Sequence, residues 1–237
     1  MNLMKRLAPI AAAAALLSAP LAASAGLVVQ ITDGASTVNV VDNGANDGAG
    51  LDPALGFGTQ LGMLGYAGSI GTWDVSLAFA SGFDDPMAMH LSSIAYGTHG
   101  DRNLTIKLTY TDLNANALPM VFSAFGGGAG VYGSTASWSA YVDDSNTAFG
   151  TASLVASSNS YATVADSATL ALSGLYSATI ITTFDYLNAS TLFVPGVGYV
   201  VPASSSLDVG MNVPEPGSLA LLGVGLLGLG ASRRRKS

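Results

Sequence analysis

The 237-residue chain has a net charge of −7, no cysteine and 49% hydrophobic residues. Without cysteine, disulfide scaffolds, thiol catalysis and cysteine-bound zinc are excluded. Six of the eight Lys and Arg residues lie near the two ends, so residues 26–212 hold two basic residues against fourteen Asp, a net charge of −12. A field of that sign repels nucleic acids and anionic membranes, and we expect no nucleic-acid partner.

The first 25 residues have the pattern of a secretory signal peptide. Lys5 and Arg6 precede an apolar run at 7–17, and the small residues Ala23 and Ala25 follow. The run is shorter than the ~20 residues that a membrane span needs. Small residues at this spacing fit the groove of signal peptidase, so we expect cleavage between Ala25 and Gly26. A permanent N-terminal anchor is the alternative.

Alternation of apolar and polar residues dominates the region from 26 to 212. Segments 73–80, 104–110 and 176–184 alternate in the way typical of half-buried strands. Further strands are predicted at 27–32, 37–41, 89–96, 120–125, 134–142, 152–156, 163–172, 191–194, 198–201 and 205–209. This pattern predicts an all-β domain, an antiparallel β-sandwich with jelly-roll or Ig-like connections. A single sheet closed on itself is the alternative.

Four stretches are predicted to be irregular or connecting. Residues 42–52 read as a flexible loop, and the run Gly-Gly-Gly-Ala-Gly at 126–130 reads as a loop or a bulge. Ser81-Gly82 is predicted to be a turn between strands. Residues 204–212 are expected to connect the domain to the C-terminal segment, although a strand is also predicted within them.

The loop at 42–52 is a candidate calcium site. Asp42, Asp47 and Asp52 supply the hard oxygen ligands that Ca²⁺ prefers. The spacing departs from an EF-hand loop, because position 3 would be Gly44 and position 12 would be Pro53. A solvated acidic loop without metal is therefore the alternative. The pairs Asp84-Asp85 and Asp143-Asp144 are further partial cation sites.

No catalytic motif stands out, and we expect the protein not to be an enzyme. His90 and His99 lack metal-site spacing, and Asp101 near His99 is not accompanied by a Gly-x-Ser-x-Gly elbow. A polysaccharide hydrolase would need two carboxylates about 5–10 Å apart. Sequence alone does not place any two of the fourteen Asp together, so a hydrolase stays as an alternative.

Two tryptophans differ in their surroundings. Trp73 lies on the apolar face of its predicted strand and is expected in the core. Trp138 lies between Ser137 and Ser139, with small alanines beyond them. An exposed Trp138 would be a possible sugar contact, and a carbohydrate-binding module is therefore an alternative function.

The C-terminal segment has three parts. Val213, Pro214, Glu215, Pro216 and Gly217 form an extended motif, since proline fixes φ and lacks an N–H. The apolar run 218–232 would span about 22 Å as a helix, less than the ~30 Å hydrocarbon core. The basic residues Arg233, Arg234, Arg235 and Lys236 would stay on the cytoplasmic side. We expect transient insertion in the inner membrane, with a plain anchor as the alternative.

These three parts, in this order behind a signal peptide, closely resemble the PEP-CTERM sorting signal. The resemblance implies recognition by an exosortase in a Gram-negative bacterium that makes extracellular polysaccharide. It divides the chain into a signal peptide (1–25), an extracellular domain (26–212) and a sorting signal (213–237). We expect a secreted surface or matrix protein with a structural or adhesive role in a polysaccharide-rich biofilm. Signal peptidase, exosortase and extracellular polysaccharide are the expected partners.

A second resemblance covers part of the domain. Tyr141, Asp143, Asn146 and Phe149 are similar to a Y-x-D-x-x-N-x-x-F pattern in a recurrent domain found before this sorting signal. The preceding strand around 104–113 is similar to a strand of the same domain. The resemblance implies architecture and assigns no activity.

Overall fold

The computed structural model describes residues 26–51, 62–84, 87–97, 103–115, 119–130, 133–186, 193–194, 198–199 and 203–212. Regular structure in these residues consists of β-strands. The strands are β1 Leu27–Thr32, β2 Thr37–Val41, β3 Met63–Leu64, β4 Ala67–Ile70, β5 Trp73–Asp84, β6 Met87–Gly97, β7 Leu104–Asn114, β8 Met120–Ala129, β9 Thr135–Asp143, β10 Ser153–Ser158, β11 Val164–Leu170, β12 Leu175–Asp185, β13 Phe193–Val194, β14 Gly198–Tyr199 and β15 Ala203–Asn212. Within the described ranges, no helix is long and apolar enough to cross a membrane.

Thirteen of the strands form two antiparallel sheets that pack face to face, and β13 pairs with β14 in a separate two-stranded sheet. Sheet I has the order β10-β9-β12-β7-β1-β2, and sheet II has the order β11-β8-β15-β6-β5-β3, with β4 also paired to β5. Eight of these strands, β7-β12-β9-β10 and β6-β15-β8-β11, interleave between the sheets as in a jelly roll. The predicted sandwich is therefore confirmed, and its connections are of the jelly-roll type.

The core follows directly from the alternation. Along β7, Leu104, Ile106 and Leu108 are buried on the inner face, and the residues between them are partly exposed. Sheet II contributes Phe122, Leu207 and Val209 from its own inner face. Burying one such side chain contributes about 1.5–3 kcal/mol, so the two inner faces hold the sheets together.

The structure corrects three of the irregular predictions. Residues 126–129 of the glycine run belong to β8, and Gly82 lies within β5. Each glycine leaves room for a large side chain, since a Cβ at Gly126 would lie 2.7 Å from Trp138 Cε2 and one at Gly82 would lie 2.9 Å from Leu27 Cδ1. From the local sequence alone such glycines are predicted to form turns, because the sequence does not show the long-range contact that requires a glycine there.

The last described strand is the third correction. Residues 204–212 lie in β15, which pairs with β6 on one side and with β8 on the other, so the strand predicted at 205–209 is confirmed and the expected connecting segment is not found there. Its final residue, Asn212, is in register with Ala88 and with Ser123. The folded domain therefore extends to the residue directly before Val213.

Candidate functional site

The outer face of sheet II carries an exposed aromatic ring near its centre. Along β8, Met120, Phe122 and Ala124 point into the core, so the same alternation turns Val121 and Phe125 outward. Phe125 is 43% exposed, although a phenylalanine in a strand is more often buried. This alternation was visible in the sequence, and it is the signal by which Phe125 could have been found.

Gly210 on the neighbouring strand fixes how the ring lies. Phe125 and Gly210 are directly in register, and a Cβ at Gly210 would lie 2.4 Å from Phe125 Cζ. The ring therefore reaches across from β8 over β15, in space that a side chain at position 210 would fill. One side of the ring rests on backbone, and the exposed area is available for a ligand.

Small and polar side chains surround the ring. The register across the sheet runs Ala165, Phe125, Gly210, His90 and Ser81, from β11 to β5. We call this row the Phe125 platform. Its members other than Phe125 and His90 are small, so the ring has no bulky neighbour within the row.

A hydrogen-bonding pair lies at one side of the platform. His90 Nε2 lies 2.5 Å from Asp208 Oδ1, with the two side chains 38% and 61% exposed. Toward the other side, Ser123 Oγ donates to the carbonyl of Asn212 at 3.4 Å. The platform and the residues beside it therefore combine the Phe125 ring and the His90 imidazole with the carboxylate of Asp208. The hydroxyl of Ser123 and the amide of Asn212 lie on the other side. That combination suits a ligand that has both C–H faces and hydroxyl groups.

The structure corrects the prediction for Trp138. Its side chain is 1% exposed and packs against Gly126 of the opposite sheet, so it is not a surface sugar contact. Within the described part of the chain, its Nε1 has no hydrogen-bond partner. Trp73 lies in the core as expected, with its ring centroid 4.8 Å from that of Tyr186. Ser137 and Ser139 lie on the outer face of β9, whereas the Trp138 side chain lies on the inner face, in the core.

The candidate calcium loop uses its carboxylates to bind backbone amides. Asp42 Oδ2 accepts from the amide of Gly62 at 2.8 Å, and Asp47 accepts from the amides of Asn43 and Gly65. Asp52 lies outside the described residues. Among the residues that the structure describes, no three His, Asp or Glu side chains group around a possible metal position. These contacts fit the alternative, an acidic loop folded without metal.

Of the remaining candidates, those that the structure describes lie in different sheets, with His90 in β6 of sheet II and Asp143 in β9 of sheet I. Asp85, His99 and Asp101 lie outside the described residues, and His90 is on the outer face of sheet II. Asp143 is 8% exposed and its Oδ1 accepts from the amide of Ser145 at 2.8 Å, so it shapes the turn after β9. Asp144 is exposed beside it.

Asp112 and Asn146 form a pair that the sequence did not reveal. This pair joins the strand around 104–113 to the segment 141–149, the two segments on which the second resemblance depends. Asn146 Nδ2 donates to Asp112 Oδ1 at 2.7 Å, and the Asp112 amide donates to Asn146 Oδ1 at 2.8 Å. Both residues have positive φ, 61° and 55°. Asp112 sits where β7 has one extra residue relative to β12. The motif residues therefore hold the β9–β10 turn against β7, which is a structural role.

The processing residues fall mostly outside the described part of the chain. Ala23, Ala25, Val213, Pro214, Glu215, Pro216, Gly217, Arg233, Arg234, Arg235 and Lys236 are in the undescribed ends. Gly26 is described, and its carbonyl accepts from the amide of Thr111 at 3.1 Å. Cleavage between Ala25 and Gly26 remains a prediction.

Comparison with known proteins identifies the C-terminal segment. Residues 212–236 match the family model of the PEP-CTERM protein-sorting motif. The chain thus combines a described region built of β-strands with a PEP-CTERM motif, which marks a protein exported and sorted by an exosortase to the cell surface or extracellular space. No curated protein matches this sequence.

Several solved structures are similar in part. TmCBM61 in complex with β-1,4-galactotriose is 8% identical, with 60% of this chain and 88% of that chain covered at a TM-score of 0.30. A cleaved adhesin domain of Lys-gingipain from Porphyromonas gingivalis is 10% identical, with 64% and 97% covered at 0.31. The C-terminal family 22 carbohydrate binding module of Clostridium thermocellum Xyn10B is 14% identical, with 61% and 87% covered at 0.25.

Proposed function

We propose that the exported domain is a non-catalytic surface or matrix protein that binds extracellular polysaccharide on the Phe125 platform. The observation that carries the proposal is the exposed Phe125 ring, held over Gly210 in the middle of a sheet face. The proposal replaces Trp138 with Phe125 as the sugar contact. It keeps the structural or adhesive role in a Gram-negative polysaccharide matrix or biofilm.

Sugar rings and the platform are chemically complementary. A pyranose presents an apolar face of C–H groups, which can cover the exposed area of Phe125, while its hydroxyls point outward around that face. Asp208 and His90 then lie at the side as acceptor and donor. Because Phe125 and Gly210 belong to paired strands, little backbone entropy would be lost on binding.

Charge favours a neutral polymer over an acidic one. The region 26–212 has a net charge of −12, and Asp208 is itself on the binding face. A uronate-rich or sulfated polymer would meet repulsion from both, which a neutral glycan avoids. We therefore expect neutral polysaccharides to bind more tightly than acidic ones at low ionic strength, and the difference to narrow as salt is added.

Affinity electrophoresis through gels that contain neutral or acidic polysaccharides, including the host's own matrix polymer, tests the proposal. The exported protein should be retarded by a neutral polymer, and Phe125→Ala should weaken binding at least about tenfold, roughly 1.4 kcal/mol. Leu154→Ala is the matched control, since Leu154 is a 52% exposed apolar residue on sheet I. Equal loss in both variants, or release of reducing ends from the polymer, would contradict the proposal.

A further inference from the structure

We propose that the free edge of β11 pairs with β11 of a second copy of this chain and so continues sheet II across two molecules. Among the described strands, β11 is the last in its sheet and is hydrogen-bonded to β8 alone. Its register with β8 runs without a break from Val164↔Gly126 to Leu170↔Met120. Seven residues of regular backbone are therefore presented at one edge. Such an edge is a template for another strand.

In the described residues, the other three edges of sheets I and II have features that hinder pairing with another strand. At the opposite edge of sheet II, the strands are the two-residue β3 and the four-residue β4. In sheet I, β10 has a register shift between Leu154 and Ala156. Short strands, irregularities and covered backbone are the usual ways in which proteins protect an edge.

The β2 edge is covered by its own loop. Asn46 Nδ2 donates to the carbonyl of Asn39 at 2.8 Å, and the amide of Val41 donates to the carbonyl of Ala45 at 3.1 Å. In contrast, β11 has no proline, no lysine and no register shift. Its carboxylate, Asp166, accepts a hydrogen bond from the adjacent amide of Ser167 at 2.7 Å. An incoming strand would displace this local bond in order to pair with the Ser167 amide.

The sequence of β11 is self-complementary in an antiparallel pairing centred on Ser167. In that register Ser167 faces Ser167 of the other copy, Asp166 faces Ala168, and Val164 faces Leu170. The two partly buried apolar residues then meet on the inner face, and neither Asp166 lies directly opposite the other. A two-fold axis through Ser167 gives a closed dimer, because each contact occurs twice.

Pairing of two short edges buries less area than the ~1,200 Å² of a standard stable interface. We therefore infer a concentration-dependent dimer, which suits a protein held at high local density in a matrix. Because β8 adjoins β11, both Phe125 platforms would lie on one continuous outer face. From strand spacing and rise, the two rings would be about 20 Å apart. A polymer could then contact both, which raises apparent affinity.

Cross-linking gives a direct test, because the chain has no cysteine and an introduced thiol is unique. The Ser167→Cys variant of the exported protein, treated with a short bismaleimide, should give a homodimer whose yield rises with protein concentration. Thr37→Cys, at an exposed position on the covered β2 edge, is the matched control and should stay monomeric. Equal yields in both variants, or cross-links only to another protein, would overturn the proposal.

Sedimentation equilibrium keeps the test independent of cross-linking. The wild-type protein should show a monomer–dimer equilibrium, and Ser167→Lys should raise the dimer dissociation constant at least about tenfold, since two lysines would then face each other. The thermal unfolding midpoint of Ser167→Lys should match that of the wild type. A wild type that is monomeric up to millimolar concentration would overturn the proposal. The assay contains no polysaccharide, so its result is separate from that of the platform.

Discussion

At the scale of single residues, glycines in sheet II determine where two aromatic rings lie. Gly210 leaves space on the outer face for Phe125, and Gly126 leaves space on the inner face for Trp138. The two positions are in neighbouring strands, but the first ring is exposed and the second is buried. We therefore expect an added methyl group to affect ligand binding at position 210 and folding stability at position 126.

Gly210→Ala should weaken polysaccharide binding while leaving stability nearly unchanged. The new Cβ would lie 2.4 Å from Phe125 Cζ, the far end of an exposed side chain that can rotate away. The ring would then leave its place on the platform. Binding measured by affinity electrophoresis should fall as it does for Phe125→Ala. Normal binding by Gly210→Ala would show that the ring position does not matter.

Gly126→Ala should instead destabilise the fold by about 1–3 kcal/mol, the usual cost of overpacking a core. Its Cβ would lie 2.7 Å from Trp138 Cε2 and 3.0 Å from Val209 Cγ2, and both neighbours are buried. Denaturant unfolding followed by tryptophan fluorescence measures the change. An unchanged free energy of unfolding would mean that Trp138 is not packed against Gly126.

Buried tyrosines predict a loss of stability in alkali. Burial raises the pKa of Tyr176 to about 12 and also raises that of Tyr186. The unfolded state deprotonates near pH ~10. The folded state therefore binds more protons above that pH, so the free energy of unfolding should be constant below pH ~10 and fall from there toward ~12. Tyr176→Phe should make that decline shallower. An unchanged decline in this variant would mean that deprotonation of Tyr176 is not its cause.

At the scale of elements, the Asp112–Asn146 pair joins a bulge in β7 to the turn between β9 and β10. Asn146→Gly is the informative change, because glycine keeps the positive φ of 55° and removes both side-chain hydrogen bonds. The expected loss is about 1–3 kcal/mol, since the partly buried amide of Asp112 loses its acceptor. Chemical denaturation measures it, and a neutral Asn146→Gly would show that the turn is held by other contacts.

Sequence alternation was sufficient for most strands because each one has one buried face and one polar face. Strands β1, β2, β6, β7 and β12 lie where the pattern placed them. The short β3 and β4 were missed, since two to four residues hold too few alternations. Residues 126–129 were misread as a loop, because Gly126 is explained by its contact with Trp138 in the other sheet. At 204–212 the strand predicted at 205–209 is confirmed, but the segment is not a connector, since it pairs with two neighbouring strands.

The candidate site was less predictable than the fold. Trp138 and Phe125 each alternate correctly, but serines beside Trp138 suggested exposure, and nothing beside Phe125 marked it as exposed. The deciding fact is which face of each strand meets the other sheet, and that depends on pairing across the molecule. The contact between Asp112 and Asn146 likewise joins residues 34 positions apart.

At the scale of the whole molecule, both junctions of the domain lie at one end of the sandwich. Leu27 packs over Gly82, which is in register with Met89, and Met89 is in register with Met211 beside Asn212. Since β15 lies between β6 and β8, sheet II is incomplete until residue 212 has been exported. The sorting motif therefore follows the last central strand directly.

Hydroxyl-radical footprinting of the exported protein, with and without the neutral polysaccharide that it binds, tests the platform most directly. Oxidation is read residue by residue, so Phe125 on sheet II and Leu154 on sheet I serve as two internal reporters with similar exposure. We predict that saturating polymer protects Phe125 and leaves Leu154 unchanged. Protection of Leu154 alone, or no protection of Phe125 by a polymer that binds, would contradict the assignment of the outer face of sheet II as the binding surface.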